Sequence, residues 1–263
     1  MSQENNQVAP QQEAPKKSKP KFKFPTEMVD LPSRGLIYPK DNPLSSGKVE
    51  MKYMTAKEED IITNQTYIRK GTVVDKLLEA LVVSDVDLGD MIVGDKNALL
   101  VASRVLGYGS NYKFEYLGSE YETDLSKLEN KKFNEELISK GENKFTFTTP
   151  NGNNLIEFRL MTDKVEKQVD AELRGLRKLS KEANPEMSTR MKHMIISVDG
   201  NTDKKDIREF VDQYFLARDA KAMRDYIIEI QPDVDFSFER EMPNGEIEEI
   251  DIPIGANFFF PDA

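Results

Sequence analysis

Alternating aromatic residues that run into Pro-Asn-Gly turns are the feature of this sequence that most restricts its fold. Residues 145–148 and 155–160 alternate in polarity on either side of the turn at 150–152. The pattern returns where an aromatic arm at 234–238 precedes a second Pro-Asn-Gly turn at 243–245. Asn-Gly between alternating hydrophobic residues is a strong short-range signal for a β-hairpin. The chain is therefore predicted to carry antiparallel hairpins.

A third hairpin is predicted at 113–125, around Gly118-Ser119. Most of the remaining ordered sequence has apolar residues at helical spacing. Thr55 followed by Glu58 is a capping box that starts a helix. Apolar stripes at helical spacing predict further helices; they occupy residues 71–81, 94–106, 162–179, 187–198, 203–218 and 220–230. Residues 126–142 are charged and predict a short helix with a loop. The predicted fold class is α+β, a helical body with several antiparallel β-hairpins.

The first 24 residues differ in composition from the rest of the chain. Residues 1–24 hold five Lys and two Glu in a chain whose formal charge is −10. They contain almost nothing to bury, which predicts a disordered basic arm. We expect the rest to form two subdomains. An N-terminal α+β subdomain would span 25–160, and a C-terminal helical subdomain with a terminal hairpin would span 161–263.

The residue types present exclude several kinds of chemistry. The sequence has no Cys and one His, so disulfides, thiol catalysis and a Cys/His zinc site cannot be built. His193 has no second His or Cys to act with and is more simply a packed or surface residue. Glu58-Glu59-Asp60 fits the first turn of a helix, and 199–203 fits a turn and a helix cap. We therefore predict no catalytic residue, no cofactor and no metal site, and hence no enzyme and no small-molecule substrate.

Charge and hydropathy bear on partners and location. The acidic balance disfavours generic duplex binding, although the Lys-rich arm could contact RNA or an acidic partner. No apolar run approaches the roughly 20 residues that span a bilayer. The opening MSQENNQVAPQQEAP lacks the apolar core of a secretory signal, so we expect cytoplasmic synthesis and no membrane partner.

Several long stretches of the sequence resemble one protein family. Residues 31–62, which begin LPSRGLIYPK, residues 70–109, residues 195–230 and the final IPIGANFFFP are similar to baseplate hub assembly proteins of T-even-type tailed bacteriophages. The resemblance implies a non-enzymatic role in building the central hub of a contractile tail's baseplate, as an assembly factor or chaperone. The alternative is a permanent component of the hub. The implied location is the host cytoplasm during assembly, or the baseplate of the virion.

The resemblance also bears on metal binding. Relatives often carry Cys-Pro-x-Cys knuckles in hairpins that correspond to 114–119 and 238–245. This chain has no Cys there, which implies that these hairpins close without metal.

Three apolar stretches bounded by polar sequence are the predicted contacts with hub or tail proteins. They are the loop 31–38, the strand 49–53 and the aromatic terminus 258–260. The residues chosen are Leu31, Pro32, Arg34, Tyr38, Met51, Tyr53, Phe258, Phe259 and Phe260. For the three Phe residues, folding back onto the domain's own core is the alternative.

Overall fold

The computed structural model describes residues 24–179, 185–242, 245–254 and 258–259, and there it contains eight α-helices and nine β-strands. The helices are α1 (Ala56–Ile62), α2 (Gln65–Lys70), α3 (Val73–Leu81), α4 (Val93–Tyr108), α5 (Asp163–Leu179), α6 (Glu186–Met194), α7 (Lys204–Glu209) and α8 (Ala217–Ile230). The strands are β1 (Thr26–Asp30), β2 (Lys48–Lys52), β3 (Asn111–Tyr116), β4 (Ser119–Asp124), β5 (Phe145–Thr148), β6 (Leu155–Phe158), β7 (Ile195–Val198), β8 (Ser237–Glu241) and β9 (Ile247–Asp251). The predicted α+β class is confirmed. The predicted disorder of 1–24 falls, except for Phe24, outside the described residues.

The strands form small antiparallel sheets. β1 pairs with β2, β3 with β4, and β8 with β9, while β5, β6 and β7 form a three-stranded sheet. The three predicted hairpins are thus confirmed as β3–β4, β5–β6 and β8–β9. Asp219, at the start of α8, holds the turn between β5 and β6. Its buried carboxylate accepts hydrogen bonds from the amides of Asn151, at 2.9 Å, and Gly152, at 3.0 Å.

Three helix predictions need correction. The helix predicted at 187–198 ends at Met194, and Ile195–Val198 is strand β7, paired with β6. β-Branched residues pack well on a pleated surface, which favours this outcome. The helix predicted at 203–218 is α7 followed by a π-helical turn, and α8 begins at Ala217. Residues 126–142 contain short 3₁₀ turns in place of an α-helix.

One hydrophobic core joins the two halves of the chain. β6 and β7 lie on opposite sides of residue 160 and belong to the same sheet. Ile92 forms a β-bridge with Thr162, and the core cluster runs from Leu31 to Phe259. The predicted division into subdomains near residue 160 is therefore not a structural boundary.

The β3–β4 and β8–β9 hairpins contact each other through aromatic rings. The ring of Phe238 lies edge-on to Phe114, at 5.5 Å between centroids, and to Tyr121, at 5.8 Å. Arg240 donates a 2.8 Å hydrogen bond to the Tyr121 hydroxyl and lies over the ring of Tyr116. Edge-on aromatic pairs of this kind stabilise beyond the area they bury.

Candidate protein-binding groove

Most of the predicted partner contacts are buried inside the chain. Leu31, Tyr38 and Met51 are 1%, 5% and 0% exposed, and Pro32 is also buried. The expectation that these residues form exposed apolar patches is wrong, because Leu31, Tyr38 and Met51 belong to the hydrophobic core, where the loop 31–38 lies against α4. The loop 31–38 is held there by Asp95, which accepts hydrogen bonds from Ser33 and Tyr38.

The aromatic terminus is also part of the core. Phe258 is fully buried and Phe259 is 8% exposed. The ring of Phe258 lies edge-on to Tyr112 at 5.2 Å, and the Tyr112 hydroxyl donates to the carbonyl of Pro253 at 2.8 Å. The predicted partner role of Phe258 and Phe259 is therefore corrected in favour of folding back onto the domain. Phe260 lies outside the described residues.

Two of the chosen residues are exposed. Arg34 forms an ion pair with Glu135 and lies over the ring of Phe133, at 5.4 Å from its centroid. Tyr53 donates a 2.9 Å hydrogen bond to Glu27. Both side chains already have partners within the chain, and their role toward another protein stays a prediction.

A groove between α6 and α8 combines exposed apolar side chains with a buried apolar floor. It encloses about 270 Å³. Its apolar surface comes from four methionines, two isoleucines and a valine: Met161, Met187, Met191, Met194, Ile227, Ile228 and Val93. Met187 is 54% exposed and Ile228 is 71% exposed, whereas Met191 and Met194 are buried at the floor. Methionine is flexible and polarisable, so a methionine-lined groove adapts to different apolar side chains.

Arginines border the groove. Arg190 is paired with Glu186 at 3.1 Å and lies 3.8 Å from Glu166. Arg224 differs, since its guanidinium contacts the sulfur of Met187 at 2.9 Å and forms no ion pair within the described residues. Arg224 and Ile228 are one helical turn apart on α8, so a cation and an exposed apolar side chain lie on the same face. The groove therefore presents apolar surface beside an uncompensated positive charge.

Sequence reasoning found only the floor of this groove. Met191 and Met194 belong to the apolar stripe predicted for the helix from 187. The exposed members were missed because Ile228 sits beside the buried stripe of α8, which comprises Met223, Ile227 and Ile230. The signal that could have revealed the groove is Ile228, an apolar residue outside the buried stripe and one helical turn after Arg224.

A larger cleft has a different lining. It encloses about 710 Å³ beside α5 and includes Asp163 and Lys167. Those charges are already neutralised, because Asp163 and Asp75 both pair with Lys96 and Lys167. With Asp163 and Lys167 paired internally, this cleft offers less to a partner than the methionine groove.

Comparison of the chain with protein-family models, curated proteins and solved structures finds no match. Among the described residues, no group of three or more His, Cys, Asp or Glu side chains is placed to hold a metal ion. Nor does any helix in that part of the chain have the length and apolar character needed to cross a bilayer.

Proposed function

We propose that this protein is a non-enzymatic binding protein that acts in assembly of the central hub of a phage tail baseplate. The resemblance of 31–62, 70–109 and 195–230 supports the choice of system. The methionine groove between α6 and α8 is the observation that supports a protein–protein mechanism, since exposed apolar side chains over a buried apolar floor are typical of contact surfaces.

The groove favours one kind of partner segment. It is short and apolar, so it fits one or two apolar side chains from an amphipathic helix. The unpaired guanidinium of Arg224 at its edge favours an acidic residue beside those side chains. We therefore propose that the protein covers an apolar segment of a hub protein, flanked by acid, until the neighbouring subunits arrive.

Affinity purification of the tagged full-length chain from infected cells tests this proposal. We expect hub proteins, identified by mass spectrometry, to co-purify with the wild type. Ile228→Asp places a carboxylate on the groove and should reduce their recovery by at least about tenfold. Leu117→Asp is the matched control, because Leu117 is 77% exposed in the β3–β4 turn, far along the sequence from α6 and α8.

Three possible results decide between the proposal and its failure. Loss with Ile228→Asp but not with Leu117→Asp supports the proposal. Unchanged recovery with Ile228→Asp overturns the groove as the contact, and the absence of tail proteins from the wild-type sample overturns the function. Mass spectrometry of purified virions then separates the transient role from the alternative, a permanent hub component, which predicts stoichiometric recovery.

A further inference from the structure

A second pocket lies on the opposite side of α6 and has a basic lining. It encloses about 240 Å³ between the end of β6, α6, β7 and α7. Its wall includes Arg159, Lys192, His193, Lys204 and Arg208. That concentration of basic side chains is unexpected in a chain with a formal charge of −10.

Part of this positive charge is already balanced. Arg208 donates two 2.7 Å hydrogen bonds to the two carboxylate oxygens of Glu172, and His193 Nε2 lies 2.8 Å from the same carboxylate. Lys192 pairs with Asp212 at 2.6 Å. The wall of the pocket thus holds one carboxylate in the forked geometry that arginine favours.

Two cations have no such partner. The Nε atom of Arg159 is buried without a hydrogen-bond partner, and its terminal nitrogen makes only a 3.4 Å contact with the His193 carbonyl. Lys204 is exposed and forms no ion pair within the described residues. The guanidinium of Arg159 and the ammonium of Lys204 thus have no counter-ion in the described part of the chain, which favours an external anion in the pocket that both side chains line.

Other carboxylates near the pocket are engaged elsewhere. Asp203 accepts hydrogen bonds from the amides of Lys205 and Asp206 as the cap of α7. The side chain of Asp206 accepts a 2.7 Å hydrogen bond from Asn201. Arg159 also borders an adjoining cleft that contains Asp90 and Glu142, but neither forms an ion pair with it.

We infer that this pocket binds a carboxylate side chain from an acidic segment of a partner protein. Its volume lies below the range of about 300–1,000 Å³ usual for small-molecule sites, so it suits a single side chain. The bound Glu172 shows that the wall accommodates a carboxylate. This inference rests on the proposed function, because it names the chemistry of a second contact with the same class of partner.

Fluorescence anisotropy with the full-length protein tests the inference. The probe is a fluorescein-labelled peptide of consecutive Glu residues between glycines, and the Gln version of the peptide is its control. Arg159→Gln and Lys204→Gln should each weaken binding about tenfold, since each removes one charge-assisted contact. Lys221→Gln makes the same charge change on an exposed side chain of α8 and should leave binding unchanged.

A variant with the opposite sign guards against simple misfolding. Glu172→Gln releases the guanidinium of Arg208 and should tighten binding of the Glu peptide several-fold. Equal binding of the Gln peptide, or equal loss with Lys221→Gln, would overturn the site. Inorganic phosphate that binds in place of the Glu peptide would overturn the choice of ligand. No hub protein is in this assay, so its outcome does not depend on the affinity purification. A failure of the proposed function and a failure of this pocket can therefore be told apart.

Discussion

Ser33 donates two hydrogen bonds to Asp95, although 62 residues separate them in the chain. The Ser33 amide reaches Oδ1 at 2.8 Å and its hydroxyl reaches Oδ2 at 2.6 Å. Tyr38 donates a third bond to Oδ2 at 2.6 Å. All three side chains are buried, and burial raises the pKa of Asp95. This network fixes the loop 31–38 onto the first turn of α4.

Asp95→Asn should lower the free energy of unfolding by about 2–3 kcal/mol. The amide nitrogen would face hydroxyl donors, so at least one buried polar group would lose its partner. Urea unfolding at neutral pH measures the change. Asp85→Asn makes the same change of charge at an exposed position and should have little effect. Equal stability of Asp95→Asn and wild type would contradict the role assigned to this network.

Two glycines in helices should respond to alanine with opposite signs. A Cβ added to Gly94 in α4 would lie 1.9 Å from the carbonyl oxygen of Pro232, whereas a Cβ at Gly175 in α5 would meet nothing within 4 Å. Gly94→Ala should destabilise by about 2 kcal/mol or more, through forced separation of α4 and the segment after α8. Gly175→Ala should stabilise by up to about 1 kcal/mol, because alanine favours the helix. Thermal unfolding of both variants checks the pair, and a common sign would refute it.

The sequence predicts elements better than it predicts which surfaces stay exposed. Periodicity and turn chemistry found the hairpins and most helices, because those signals are local. The strand Ile195–Val198 was missed because a short apolar run fits a helix or a strand equally well until its partner, β6, is known. Leu31 and Met51 were placed at an interface because the residues that bury them are remote in sequence. The groove combines faces of α6 and α8, so no single segment reveals it.

Phe258→Ala should destabilise the fold by about 3–5 kcal/mol. The ring is fully buried and packs on Tyr112 and Phe259, so truncation leaves a cavity. Removal of residues 258–263 should act in the same direction. Chemical denaturation measures the loss. Leu117→Ala removes apolar surface from an exposed site and should be near neutral. If the truncated chain unfolded at the wild-type midpoint, the terminus would not be part of the core.

Glu172 makes the stability of the fold depend on acid pH. Its hydrogen bonds from Arg208, together with His193, lower the pKa of this carboxyl from 4.5 to about 2. Between those values the unfolded chain binds the proton more tightly, so the contribution of Glu172 is complete above about pH 4.5 and falls as the pH drops toward 2. Glu172→Gln should therefore lower the free energy of unfolding by about 2 kcal/mol at neutral pH, and the difference from wild type should shrink progressively below pH 4.5.

Urea midpoints of Glu172→Gln and wild type across a pH series test this prediction. Glu136→Gln, at an exposed position, should show no such convergence. A difference between Glu172→Gln and wild type that stays constant from neutral pH to pH 2 would show that the substitution acts through packing and not through the charge.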